Sequence, residues 1–186
     1  ELAIDLYETA LESEPGDIDI RFNLATAQLS CGHYEAGADA YRCRWERPGK
    51  TKRPFNHPFW QGEDLAGKHL LVWTEQGLGE EILHLTAIAS LMETAGSVTV
   101  ETTDRLVPMV QRAFPDATVV ARTMPPRPET VSPAINLQCP AGDLLRFMRP
   151  GETEYAPSIA ADPDLTAEFR NRYQTGQEAG IRVGLC

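Results

Sequence analysis

The chain has no apolar run long enough to cross a membrane, and its first residues lack the basic, apolar and small-residue order of a signal peptide. Its four cysteines, Cys31, Cys43, Cys139 and Cys186, form no CxxC pair and no close cluster with histidine. No metal site is therefore expected, and reduced thiols in a cytoplasmic setting are. The four histidines show no HExxH spacing. Positive charge is scarce: 17 Lys and Arg face 27 Asp and Glu, a net charge of −10. That argues against a nucleic-acid partner, which is held by a basic patch that releases counterions. The acidity is spread along the chain rather than gathered into a tail, and so serves solubility. What remains is a globular composition, 42% hydrophobic and 24% charged over 186 residues, enough for one domain with an appendage. The chain opens without Met inside a helical pattern and stops on the strand-like IRVGLC, so a piece of a longer protein is expected.

Residues 1–47 read as helices. Leu2, Leu6 and Ala10, with Ala3, Tyr7 and Leu11, fall on helical spacing, and Pro15-Gly16 stops the run. Asp17 suits the N-cap of a second helix carrying Ile20, Leu24, Ala27 and Cys31, which Gly32 terminates. A third helix carries Gly37, Ala40, Tyr41 and Trp45. Tyr7 and Tyr41 lie 34 positions apart, as do Ala3 and Gly37, and that is the tetratricopeptide period. Within it, Leu24, Ala25, Gly32, Tyr34, Gly37 and Tyr41 follow the order of large, small, Gly, Tyr, small and aromatic. Three positions depart: Arg21 where an aromatic is common, Gln28 where Tyr is, and Arg44 where Ala is. Such departures suit a terminal repeat, which fits a repeat on one side and something else on the other. The plainer alternative is an unrelated helical hairpin.

Residues 48–59 form a basic, Pro-containing linker, whose cations are expected to be solvated unless they meet an anionic ligand. From Trp60 the grammar changes. Leu70–Trp73, Ser97–Glu101, Thr118–Ala121 and Ile135–Gln138 read as strands. Helical patterns lie between them, one holding Ile82, Leu85, Ala89 and Met92, another running from Asp104 to about Phe114. A further helix is expected from Asp162-Pro163 to Tyr173, and a last strand over 181–186. Strand and helix alternating at these spacings mean a parallel sheet with crossover helices.

The stretch LLVWTEQGLGEEILHL, Leu70 to Leu85, is the candidate site. A loop after the first strand of such a sheet sits at the carboxyl edge, where ligands bind. Gly77 and Gly79 there let the backbone approach a ligand, and the next helix offers free N–H groups to negative charge. The motif is neither GxGxxG nor Walker. Glu80 also has a plainer role, a first-turn charge favouring the positive end of the helix dipole. Glu81 is its adjacent rival. Trp60 and Trp73 read as packing residues, Cys139 as buried and inert. Asp143 and Arg146, flanking a short helix near the edge, read as capping and surface-pairing residues with a lesser prospect of ligand contact.

The run WQGEDLAGKHLLVWTEQGLGEEIL resembles the entry to a bacterial family in which tetratricopeptide repeats are fused to a glycosyltransferase domain. That family's form is Trp-x-Gly, a Leu-x-Gly-Lys turn, an apolar strand and Glu-Gln-Gly-x-Gly-Asp. Trp60, Gly62, Leu65, Gly67, Lys68, Glu75, Gln76, Gly77 and Gly79 match it, as do Tyr41, Arg44 and Trp45 at the repeat's end. The later LQCPAGDLLRFMR, YAPSIAADPDL and RVGLC follow the same order. The family is similar to the heptosyltransferases and, more distantly, to tetratricopeptide O-linked sugar transferases, and its relatives include flagellin-modifying enzymes.

The resemblance implies an α/β chain: the C-terminal part of a tetratricopeptide solenoid, then a Rossmann-like parallel-sheet domain over 60–180 forming the N-terminal half of a GT-B fold, with 181–186 opening the second half. It implies a metal-independent, inverting transfer from a nucleotide sugar to a protein or envelope-glycan acceptor, without a bound cofactor. The repeats would hold the protein partner. Glu80, standing where the family has Asp, would be the catalytic base, and Gln76, Gly77, Leu78 and Gly79 would contact substrate. The nucleotide would be held by the second half, so this chain alone is expected to be inactive. The alternative is a non-catalytic interaction scaffold with a degenerate transferase half. A dinucleotide oxidoreductase is a poor third, resting on Glu101 after the second strand.

Overall fold

The computed structural model describes residues 1–75, 77–147, 159 and 161–173. Gln76 and the strand expected over 181–186 lie outside the described residues. Three helices come first: α1 (Leu2–Ser13), α2 (Ile18–Ser30) and α3 (Tyr34–Ala40), the last running into a 3-10 turn, Tyr41–Glu46. Asp17 caps α2, its carboxylate accepting the Asp19 and Ile20 N–H groups, each at 2.9 Å, an arrangement that contributes about 1 kcal/mol. Gly37 is a packing requirement: a Cβ there would lie 2.9 Å from the Leu29 side chain, so α2 and α3 close only on a hydrogen. Phe22 and Tyr41 meet between them, ring centres 5.5 Å apart.

The sheet follows: β1 (His69–Trp73), β2 (Ser97–Thr102), β3 (Thr118–Ala121) and β4 (Leu137–Pro140). All pairings are parallel and the order is β3-β2-β1-β4. β1 is central, and Leu70, Leu71, Val72 and Trp73 are fully buried. This is the continuous apolar strand that a sheet covered on both faces demands. One face packs on α4 (Leu78–Leu85), α5 (Ile88–Thr94) and α6 (Val107–Ala113), through Leu85, Ile88, Leu91, Val110 and Phe114. The other carries Leu71, Trp73, Phe55 and Ile135, with Trp45 and Phe59 against them.

Several boundaries differ from the sequence reading. The helix expected through Ile82 and Met92 is two helices, broken at Thr86 and Ala87. The one expected from Asp104 begins as a 3-10 turn, Asp104–Leu106, and becomes α6 only where Pro108 suits a first helical turn. β4 sits two residues later than expected. By contrast α7 (Pro163–Tyr173) starts at the expected cap, Asp162 accepting the Asp164 and Leu165 N–H groups at 3.0 and 3.1 Å. Among the described residues no helix is long and apolar enough to cross a membrane.

The basic connector is not simply solvated. Phe55 is buried against Trp73, and residues 58–60 lie along β4, Gln138 donating to Pro58 O and Trp60 donating to Gln138 O, both at 2.8 Å. Arg53 reaches into the sheet, where it meets the fully buried Glu101 through Nε and Nη2, each at 2.7 Å. A strand carboxylate buried under a connector needs such a fork to offset its lost hydration. Glu101 is therefore occupied within the fold, which removes the residue on which the dinucleotide reading rested.

Candidate functional site

The carboxyl edge of the sheet gathers the loops that follow each strand. After β1 come Thr74 and Glu75, then the Gly77-Leu78-Gly79-Glu80 turn that opens α4. Gly77, Leu78, Gly79 and Glu80 are all exposed. Gly77 takes an extended backbone, φ −73° and ψ 163°. Its N–H donates to Glu80 Oε2 at 3.0 Å, and its carbonyl accepts the Glu81 N–H at 2.9 Å. Glu80 thus folds back over the first turn and makes the acidic half of a capping box, Gly77 having no side chain to make the other. Its extra methylene relative to Asp gives it this reach. The carboxylate is held by one backbone donor and faces solvent.

Glu81, one residue on, points the other way and is 1% exposed. Oε2 accepts Thr102 Oγ1 at 2.9 Å and the Thr103 N–H at 3.1 Å, while Oε1 accepts Thr103 Oγ1 at 2.7 Å and Arg122 Nη2 at 3.0 Å. Arg122 also donates to the Thr74 carbonyl at 2.7 Å. Burial pushes the Glu81 pKa up, and the hydrogen bonds from Thr103 and its neighbours outweigh it, leaving the carboxyl below its ordinary value. Glu81 is a brace between α4 and the ends of β2 and β3.

A second charged knot sits on the opposite flank of the same loop. Arg44, from the 3-10 turn that ends the repeat, is 1% exposed. It donates through Nε and Nη2 to Glu75 Oε1 at 3.0 and 2.6 Å. Nη2 also lies 2.6 Å from Asp143 Oδ1, on the turn after β4. The guanidinium is layered against Tyr41 and Trp45, 4.8 and 4.6 Å from their ring centres. Gly142 makes the approach possible, since a Cβ there would stand 2.7 Å from Glu75 Oε1. Burial pushes the Glu75 pKa up to about 7 against the pull of Arg44, which Asp143 shares. His84 on α4 faces the same cluster and is pushed down to about 4, by burial first and then by Arg44.

The knot belongs to a broader contact between repeat and sheet. Arg146 donates to Asp39 at 2.7 Å, and Arg42 lies 3.8 Å from Asp143. Trp45 and Trp73 meet with ring centres 5.5 Å apart. Trp60 packs on Phe147 at 4.1 Å and donates from Nε1 to the Glu63 carbonyl, so both flanking tryptophans are packing residues. Gly62, at φ +99°, lies directly under the Phe147 ring, where a Cβ would come within 2.8 Å.

Arg146, read as a surface-pairing residue, does pair at the surface, with Asp39 of the repeat, whereas Asp143 is buried against Arg44 rather than capping a helix. Arg44 was visible in sequence as a departure from a small-residue position and as part of the repeat's Tyr-x-x-Arg-Trp ending, with no sign of its partners. The signal lay in combining two observations: the repeat's last face must pack on the next domain, so an arginine on that face is buried and needs carboxylates. Glu75 and Asp143, at the ends of adjacent strands, supply them.

The tetratricopeptide repeat family matches residues 6–37. Protein FlbA of Caulobacter vibrioides is 36% identical to this chain over 132 residues, covering 65% of the chain and 22% of that protein. A tetratricopeptide repeat is present. The chain thus spans only about a fifth of the length of this curated relative. No solved structure matches. The repeat points to a role in protein interaction.

Proposed function

We propose that this chain is the repeat-to-sheet junction of a tetratricopeptide-fused, metal-independent, inverting glycosyltransferase of the GT-B type, with a nucleotide sugar as donor and a protein or envelope glycan as acceptor. The observation that carries the reading is the exposed Glu80 carboxylate at the carboxyl edge of the central strand, on the turn Gly77-Leu78-Gly79. It stands where the resembled family keeps its base. The order β3-β2-β1-β4 is that of a Rossmann half, whose ligands bind beyond the strand ends.

In this reading an acceptor hydroxyl attacks the sugar carbon as the nucleotide leaves, and the proton passes to Glu80. A hydroxyl is a weak nucleophile, so a carboxylate within hydrogen-bond reach accelerates its attack. Glu80 is the member of the acidic pair free to serve, because each oxygen of Glu81 already accepts two hydrogen bonds. Gly77, Leu78 and Gly79 line the approach with backbone, and the resemblance adds Gln76 as a substrate contact. The nucleotide belongs to the second half of the fold, and backbone donors and cations there stabilise the departing phosphate. The repeat would hold the protein acceptor beside this edge.

One observation favours the scaffold reading: Glu80 Oε2 already accepts the Gly77 N–H at 3.0 Å, which is what a first-turn capping residue does. The test is turnover of full-length protein, with both sheet halves, on a panel of nucleotide sugars. Turnover that collapses in Glu80→Gln supports the transferase; no turnover with any donor leaves the scaffold.

A further inference from the structure

Glu75 immediately precedes the candidate loop, yet the group that fixes its carboxylate comes from the repeat. Arg44 and Glu75 are 31 positions apart in sequence and belong to different elements, the end of the repeat and the end of β1. Both side chains are buried, 2% and 6% exposed, and the contact is two-pronged, with Asp143 on the same Nη2. A planar fork lying against the Tyr41 and Trp45 rings of its own turn moves with that turn. Gly142 closes the remaining side, its Cα within a methyl's reach of Glu75 Oε1. On the far flank the loop is pinned by Glu81 to Thr102, Thr103 and Arg122, at the ends of β2 and β3. One flank of the loop is therefore fixed by the sheet, and the other by the repeat.

We propose that Arg44 is a positioning residue, which transmits the pose of the repeat's last turn through the Glu75 carboxylate to the Gly77–Glu80 turn. Its consequence for turnover rests on the transferase reading above; the mechanical coupling does not. A partner that shifts Tyr41–Glu46 when it engages the repeat would draw the fork with it and release or tighten the loop. Arg44 touches no reacting atom in this scheme.

The experiment is hydrogen exchange on the 186-residue chain, comparing the parent with Arg44→Met and Glu75→Gln. Arg44→Met keeps the volume between the two aromatic rings without the charge. Glu75→Gln keeps Arg44 and the shape of its acceptor. In both variants the amides of Gly77–Glu81 are expected to exchange on the order of tenfold faster, the factor of one charge-assisted hydrogen bond, and to be accelerated more than those of α2 and β2.

A second readout separates positioning from general stabilisation. Glu75 is faced by Arg44 and Tyr41 from the repeat and by Asp143 and the Gly142 backbone after β4, while Glu80 acts on Tyr41 and His84 on Arg44 and Asp143 in the same cluster. Its loop exchange, corrected for the intrinsic rate, is expected to step near pH 7 in the parent and not in Glu75→Gln. Loop exchange unchanged in folded variants overturns the proposal. So does an acceleration spread evenly over α2, β1 and the loop, or a pH step that survives in Glu75→Gln. If Arg44→Met does not fold, Glu75→Gln alone decides by the same criteria. Absence of any turnover in the full-length protein would count against the transferase reading and leave this exchange result standing.

Discussion

The two flanks of the Gly77–Glu80 turn hold a buried glutamate each, by opposite means. Glu81 has four donors for its two oxygens, from Thr102, Thr103 and Arg122. Glu75 has one arginine, for which Asp143 competes, and one backbone donor, Gly142. The outcome follows the donor count: the Glu81 carboxyl stays below its ordinary pKa, while burial carries Glu75 to about 7. A buried carboxylate is secured by the number of hydrogen bonds it accepts, and a single shared cation leaves it close to protonation at neutral pH.

The largest expected effect is at the shared cation. Arg44→Ala leaves Glu75 without a counter-charge and Asp143 with Arg42 alone, 3.8 Å away, and stability should fall by about 3–5 kcal/mol. Urea unfolding followed by tryptophan fluorescence measures it, and Trp45 and Trp73 lie at the affected contact. Arg44→Met with Glu75→Gln should recover most of that loss, because an apolar group facing a neutral one strands less charge. Recovery failing in the pair would mean that Arg44 acts mainly through Asp143.

On the better-satisfied flank the loss should be smaller. Glu81→Ala removes the brace, but Arg122 keeps the Thr74 carbonyl and is 29% exposed along its side chain, so water takes up the rest. Roughly 2–3 kcal/mol is expected, by the same urea measurement. A Glu81→Ala cost above that of Arg44→Ala would reverse the comparison.

The pH dependence sharpens it further. Glu75 has a folded pKa raised from 4.5 to about 7, so the native state binds the extra proton between those values. Its contribution is fully present below 4.5 and is lost as pH rises through about 7. His84 runs the other way: lowered from 6.5 to about 4, it contributes above 6.5 and loses that contribution as pH falls through about 4. The two largely offset each other over the acidic range in the parent. In Glu75→Gln the His84 dependence is no longer offset by Glu75, so stability should fall more steeply on acidification than in the parent. Between about pH 4.5 and about pH 7 the parent should lose stability relative to the variant. Parallel profiles would show that Glu75 is charged throughout.

The difference between the flanks also marks what local pattern can reveal. The 34-residue spacing of Tyr7 and Tyr41, the Asp17 and Asp162 caps and the β-branched runs were all legible, because each is a relation between near neighbours or a repeated period. Arg53 with Glu101, and Arg44 with Glu75 and Asp143, join residues that no period connects. A basic connector and an arginine in a helix look alike in sequence whether solvated or buried. Glu80 and Glu81 are adjacent and chemically identical, and only the α4 rotation sends one to Thr103 and the other to solvent.

The smallest stability effect is expected at Glu80. Its carboxylate is exposed and holds one N–H, that of Gly77. Glu80→Gln retains an acceptor and removes a first-turn charge, which should cost about 0.3–1 kcal/mol. In the full-length protein the same substitution separates the two functional readings. As a base, Glu80 accounts for a fall in turnover of on the order of 10² to 10⁴ with donor affinity little changed. As a cap, it accounts for a slightly lower unfolding midpoint and nothing else. Glu81→Gln is not a matched control, since it unsettles the Thr103 and Arg122 bonds and loosens the loop from its far side. Glu80→Asp is the better companion: it keeps the charge, shortens the reach to Gly77 N, and restores the carboxylate of the resembled family. Turnover retained in Glu80→Asp and lost in Glu80→Gln identifies the charge as the working feature. Equal turnover in all three proteins assigns Glu80 to the helix end.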